Sequence, residues 1–335
     1  MINKLYEKIK KFIKNNYRFL ILLGVLVFLF YYEYPYIIYK SGGTINLEDR
    51  IEIDKEYYQT GDIQMSYVTA MKGTAPFILL SFIMPDWDLM PLSEVTSKNS
   101  YDEVLEVGKE HLNEGIDNAI ISAFRESDYK LTITKEINKV MYLSEAAKTD
   151  IKIGDIVISV DNRPVSNIED VRDYVNTLKE NDEVKINVIN DDKAYIRNAI
   201  VYKDNDNTLK IGIAFKTTYE YETEIPVTIK MKNNESGSSG GLMMSLAIYN
   251  ALTKEDITKG LNIVGTGSIL SDGTVEEIGG VKYKVLAAEK NKADIFFCPE
   301  ENYDEAYKIK DKRKLKLEIV KVKTLKEAIE YLENK

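Results

Sequence analysis

The stretch Glu235-Ser236-Gly237-Ser238-Ser239-Gly240-Gly241-Leu242 decides how the C-terminal part of this chain is read. A strand-like run, Ile225–Met231, leads into it. An apolar helix over 242–252 leaves it, with Leu242, Met243, Leu246, Ala247 and Tyr249 on a buried face. A Gly/Ser tract so short, locked between two core elements, does not read as a linker. Its glycines allow unusual backbone angles and the close approach of another backbone. Ser239 falls at the helix N-terminus, beside unpaired N–H groups and the positive end of the helix dipole. A serine there is a candidate nucleophile, and Gly237, Ser238 and Gly240 form the loop that would hold an oxyanion. The same position also suits a simple helix cap.

A second stretch, Ile278-Gly279-Gly280-Val281-Lys282, opens another helix, expected over 282–290. A free lysine, with pKa near ~10.4, is a poor base at neutral pH. Burial lowers that value, and the neutral amine can then take a serine proton. Lys282 is therefore the candidate base, a solvated surface lysine being the alternative reading. The single histidine, His111, lies far upstream on a helix expected over 101–125 and reads as a surface residue.

Together these residues resemble the proteolytic domain of Lon-type serine proteases, which use a Ser–Lys dyad. The family's Gly-Pro-Ser-Ala-Gly appears as Gly237-Ser238-Ser239-Gly240-Gly241, its Thr-Gly as Thr266-Gly267, and its Ile-Gly-Gly-Leu-Lys-x-Lys as Ile278-Gly-Gly-Val-Lys282-Tyr-Lys284. The resemblance implies Ser239 as nucleophile, Lys282 as base at the family's spacing, and Thr266 as the residue that orients the lysine. The family proline is Ser238 here and the family alanine is Gly240, which loosens the loop.

Residues 130–205 resemble a PDZ domain, through Ile153-Gly154-Asp155-Ile156-Val157 and Val160-Asp161-Asn162. Such domains add an extended peptide as a strand beside a helix. The helix is expected over 168–178. By position the peptide-binding loop falls at Met141, Tyr142 and Leu143, where the usual glycine is lacking.

The N-terminal 18 residues carry a net charge of +5 within a chain of net −9, leaving −14 for the rest. That balance gives no reason to expect a nucleic-acid partner. An uninterrupted apolar run, Phe19–Phe30, follows the basic tip, and Tyr31, Tyr32, Tyr34, Tyr36 and Tyr39 cluster after it. The pattern reads as a transmembrane helix over 17–39, with the lysines cytoplasmic, the tyrosines at the interface and the catalytic portion outside the cell. A cleaved signal peptide is the rival, but no small-x-small site follows directly.

The fold class expected is α+β multidomain. Its parts are a cytoplasmic basic tip (1–16), the transmembrane helix (17–39), a membrane-proximal β unit and helix (40–128), a PDZ-like domain (129–205) and a Lon-like protease domain (206–335). Within 40–100, Ile63–Val68 and Phe77–Phe82 read as β-like runs. Cys298 sits in a strand-like apolar setting and reads as an inert core thiol.

This order of parts resembles the membrane-anchored PDZ–Lon-like proteases of Gram-positive bacteria. The resemblance implies an endopeptidase acting on extracytoplasmic peptides or unfolded proteins, with the PDZ domain binding or gating substrate, and it allows a homo-oligomer. No Gly-x-x-x-x-Gly-Lys-Ser/Thr occurs in these residues, so ATP independence is expected. No cofactor and no metal site are expected. A trypsin-like PDZ protease would need a histidine base, and a zinc protease a His-Glu-x-x-His site. A membrane-tethered PDZ scaffold without activity is the non-enzyme reading.

Overall fold

The computed structural model describes residues 2–54, 57, 59–96, 101–166, 168–204 and 206–335. In chain order, α1 (Ile2–Tyr31) precedes β1 (Glu33–Asn46), β2 (Ile51–Ile53) and β3 (Asp62–Thr74). Helix α2 (Ala75–Ser81), β4 (Asp88–Pro91) and α3 (Leu92–Thr96) lead to the long helix α4 (Tyr101–Glu126). Then come β5 (Leu131–Leu143), β6 (Lys148–Thr149), β7 (Ile156–Val160), β8 (Arg163–Pro164) and α5 (Ile168–Val175). They are followed by β9 (Glu183–Asn190), β10 (Lys193–Ile200), β11 (Tyr202–Lys203), β12 (Leu209–Lys210), β13 (Ile213–Thr223) and β14 (Val227–Ile229). The C-terminal run is α6 (Gly241–Leu252), β15 (Asn262–Gly265), β16 (Ser268–Ile269), β17 (Val275–Glu276), α7 (Val281–Lys290), β18 (Ile295–Pro299), α8 (Glu300–Arg313), β19 (Glu318–Val322) and α9 (Leu325–Glu333).

The chain forms two compact units, residues 1–42 with 68–97, and residues 43–67 with 98–335. In the first, α1 is 30 residues, about 45 Å at 1.5 Å per residue, against a hydrocarbon core of roughly 30 Å. It is long and apolar enough to cross a membrane. It ends at Tyr31, so the expected helix over 17–39 is corrected. Pro35 cannot sit inside a helix, and the Tyr/Ile run 36–39 instead pairs antiparallel with β4, Tyr36 opposite Pro91. The β-like reading of Phe77–Phe82 is corrected as well, since these residues lie in and just after α2. Pro76 falls in the first turn, where proline is pre-shaped for a helix, and a short apolar run has no period to separate the two structures.

In the second unit, β19, β18, β15 and β3 are mutually parallel and adjacent in that order. All five residues of β18 are buried, as a parallel strand covered on both faces requires. Helix α6 is buried at all 12 positions, so it is a central helix with core on every side rather than an amphipathic one. Its polar members are satisfied: Ser245 Oγ donates to the Ala119 carbonyl at 3.0 Å, and Asn250 accepts from the Ile257 amide at 2.9 Å.

The core around α6 contains Leu47, Ile63 and Met65, and Ala119, Ile120, Ala123 and Phe124 of α4. Residues 40–128 therefore do not form a separate membrane-proximal unit, since much of that segment completes the same core as the C-terminal region. A second sheet is ordered β13-β5-β7-β9-β10-β6, with β8 paired to β7 and β11–β12 a separate ribbon, over a core that includes Val140, Val157, Val171, Val184 and Ile186. This domain takes in β13, beyond the expected boundary at 205. It is inserted into the chain between α4 and β14.

Candidate active site

Three elements converge at the carboxyl ends of the parallel strands, the usual place for a site in such sheets. β15 ends at Gly265, and Thr266 follows it, fully buried, with its amide bonded to the Phe297 carbonyl at 3.0 Å. Ser239 stands immediately before Gly240, the cap residue of α6. Its carbonyl oxygen accepts two hydrogen bonds, from Thr266 Oγ1 at 2.9 Å and from the Gly267 amide at 2.8 Å. The loop is thus clamped to the end of the sheet, and Ser239 itself remains half-buried.

The third element is α7, which brings a lysine to Thr266. It is Lys284: its Nζ donates to Thr266 Oγ1 at 2.9 Å, and the residue is 3 % exposed. Burial pushes its amine down from 10.5 to about 7. The expectation for Lys282 is corrected. Lys282 is half-buried, with Nζ 5.2 Å from the ring centroid of Tyr283, and the two positions lie about 200° apart around the helix. Val281, Lys284, Val285 and Ala288 form the buried stripe, at i, i+3, i+4 and i+7. That phase was present in the sequence and points to Lys284. A residue count through intervening loops, by contrast, shifts with any insertion. The turn before α7 is pinned by Asn302, which accepts from the Ile278 amide at 2.8 Å and donates to its carbonyl at 3.0 Å.

The remaining loop residues serve packing. Gly237 donates its amide to the Gly108 carbonyl at 2.7 Å, so in this conformation that N–H faces α4 rather than the site. Ser238 Oγ and Ser268 Oγ are 2.7 Å apart. Gly240 lies against Met65, whose Sδ would stand 2.6 Å from a Cβ at that position. Helix α4 supports the loop closely: a Cβ on Gly115 would meet Ser238 Cα at 3.1 Å, and one on Gly108 would meet Ser236 Cβ at 3.1 Å. Asn118 of the same helix donates to the Ile269 carbonyl at 3.0 Å. Sequence reading placed this helix but missed its support of the serine loop, because its residues carry no catalytic chemistry. Helix α4 also meets the inserted domain: Lys139 pairs with Glu110 and Lys216 with Glu114, both at 2.5 Å. His111 stands on α4 with its Nδ1 3.6 Å from Glu114. Burial pushes the Glu114 carboxyl up, but bonds from His111 and Lys216 outweigh it and hold the group below its ordinary value.

The inserted domain has a groove of about 330 Å³ between α5 and the start of β13, lined by Ile168, Val171, Arg172, Val175, Ile211, Gly212, Ile213 and Ala214. β13 is the end strand of its sheet as described, which leaves an edge for an added strand. The expected loop at Met141, Tyr142 and Leu143 is corrected. Tyr142 lines the groove, but Met141 is buried and Leu143 packs on the core. A glycine does line the groove, Gly212, at φ +77°, where a Cβ would fall 2.6 Å from that of Ala147. Lys210-Ile-Gly-Ile213 was the signal that could have found it, lying after the other strands rather than before them.

A model of the Lon protease (S16) C-terminal proteolytic domain matches residues 201–334, and a PDZ-domain model matches residues 119–196. The Lon protease of Clostridioides difficile (strain 630) is 32 % identical over 137 residues, 41 % of this chain and 16 % of that protein. The Lon protease of Aster yellows witches'-broom phytoplasma is 33 % identical over 91 residues, 27 % of this chain and 11 % of that protein. The chain thus spans 11 and 16 % of the length of these two curated relatives. Among solved structures, the PDZ domain of an SdrC-like protein from Listeria monocytogenes is 24 % identical, covering 25 % of this chain and 92 % of that one at a TM-score of 0.23. The chain carries a PDZ domain together with the C-terminal proteolytic domain of the Lon proteases.

Proposed function

We propose that this chain is a membrane-anchored, ATP-independent serine endopeptidase that cuts peptides or unfolded proteins outside the cytoplasm. Ser239 is the nucleophile and Lys284 the base, with Thr266 as the positioning residue between them. The observation that carries this reading is the buried Lys284 amine, bonded to a threonine that is bonded in turn to the Ser239 carbonyl. With a pKa near 7 that amine is substantially neutral at physiological pH, as a general base must be.

In the proposed cycle, Lys284 takes the Ser239 hydroxyl proton as Oγ attacks the substrate carbonyl carbon. The start of α6 faces the developing oxyanion with its positive dipole end. The Lys284 ammonium returns the proton to the departing amine, leaving an ester on Ser239. Water, deprotonated by the same amine, cleaves the ester and restores the serine. The PDZ groove between α5 and β13 holds an extended segment of the substrate as an added strand.

A fluorophosphonate probe and an unfolded casein substrate test this on the full chain in detergent. Wild type, Ser238→Ala and Lys282→Ala should label and cleave. Ser239→Ala and Lys284→Ala should do neither. Labelling that survives Ser239→Ala, or activity that survives Lys284→Ala, would overturn the assignment.

A further inference from the structure

Residues 75–84, Ala-Pro-Phe-Ile-Leu-Leu-Ser-Phe-Ile-Met, contain no charge. In water a helix of this composition turns its apolar side chains inward. Here the arrangement is reversed. Leu79 is 65 % exposed, Phe82 and Ile83 are each 76 %, and Phe77 and Leu80 are 40 %. The buried member of α2 is Ser81, whose hydroxyl is satisfied by the Ile78 carbonyl at 2.7 Å. An apolar patch of this kind marks contact with another apolar phase.

The neighbourhood identifies that phase. α2 packs against α1, the helix long enough to cross a bilayer, so the two apolar surfaces are continuous. Lys72, just before α2, pairs with Glu33, just after α1, at 2.7 Å, which sets the start of α2 level with the outer end of α1. Trp87 follows the patch between Asp86 and Asp88, with the Lys40 Nζ 4.7 Å from its ring centroid and the Phe77 ring 6.5 Å away. A tryptophan beside a cation, at the border of apolar and charged residues, suits the headgroup level. We infer that α2 and the Phe82-Ile83 turn insert into the leaflet beside the end of α1, forming a second, monotopic membrane contact with Trp87 at the interface. This rests on the reading of α1 as a membrane span.

Trp87 is the only tryptophan in the chain, so its emission reports on this segment directly. The full chain is reconstituted in phosphatidylcholine–phosphatidylglycerol vesicles, with and without brominated acyl chains. Quenching by the brominated lipid and a blue-shifted emission are expected in wild type. A Phe82→Ser/Ile83→Ser variant should lose both while resisting carbonate extraction and retaining fluorophosphonate labelling. An unquenched Trp87 in a chain that resists extraction would overturn the inference alone and assign the patch to a protein partner. Quenching unchanged in the double variant would also overturn it. Release of the wild-type chain by carbonate would remove the reading of α1, and this inference with it.

Discussion

The Nζ of Lys284 and the Oγ1 of Thr266 are 2.9 Å apart, and both residues are almost wholly buried. A lysine stores free energy when its amine is held from water, because the charged form is penalised there. Activity should therefore rise with pH through about 7 as the amine loses its proton. A pH profile of kcat/KM on a peptide substrate checks this. Lys284→Met should lower kcat/KM at least about 100-fold, while Lys282→Met leaves the profile in place.

Stability should move the same way with pH. Above pH 7 the folded chain releases a proton that the unfolded chain keeps until about 10.4, so the unfolded state binds more protons across that window. The Lys284 contribution is thus unfavourable, present in full below pH 7 and relieved as pH climbs towards 10. Lys284→Met removes the penalty and should raise Tm at neutral pH, read by calorimetry at pH 6, 8 and 9.5. The gain should shrink as pH rises.

Gly115→Ala separates packing of the loop from folding. The added methyl meets Ser238 Cα at 3.1 Å, so the loop must give by a few tenths of an ångström. In a helix interior alanine is favoured over glycine by about 1 kcal/mol, which offsets the strain. The expected outcome is a nearly unchanged Tm with kcat reduced about tenfold, the direction that misplaced reacting groups produce. A variant as active as wild type would show that α4 does not set the loop position.

Asp155 anchors the PDZ domain. It is fully buried, accepts from the Lys152 amide at 2.8 Å and Asn190 Nδ2 at 2.7 Å, and pairs with Arg197 Nε at 3.0 Å. Asp155→Ala leaves the guanidinium without its partner and should cost about 3–5 kcal/mol. Urea unfolding followed by near-ultraviolet circular dichroism reads that loss.

Cys298 should be unreactive in the native chain. It is fully buried in β18, and burial pushes its thiol up to about 12, so almost no thiolate exists at pH 8. A disulfide reagent should give no colour until denaturant is added. Rapid native reaction would mean that the strand opens.

The sequence carried the order of elements well where apolar periodicity was strong. Helices over 101–126, 241–252 and 281–290 fall within a few residues of expectation. At the candidate site, turn chemistry and helix starts are local signals that single out Ser239 and Thr266, which the structure brings into hydrogen-bond contact. It was misread at the lysine, where two candidates two residues apart differ only in helix phase and not in kind. The groove beside α5 was misplaced because Gly212 and Met141 are far apart in sequence and come together through the pairing of β5 with β13. The largest omission was non-local. Nothing in residues 43–67 or 101–126 announces that they pack on α6.

A chain cut at residue 201, where the proteolytic match begins, would forfeit the parallel neighbour of β15 and the long helix that backs the serine loop. What remains would expose flanks of the all-buried α6 and should precipitate or stay unstructured. Recombinant fragments meant to report on hydrolysis have to begin no later than Gly43, so the PDZ domain, inserted between α4 and β14, is not a detachable appendage. It travels with the hydrolase in any piece that retains a complete interior.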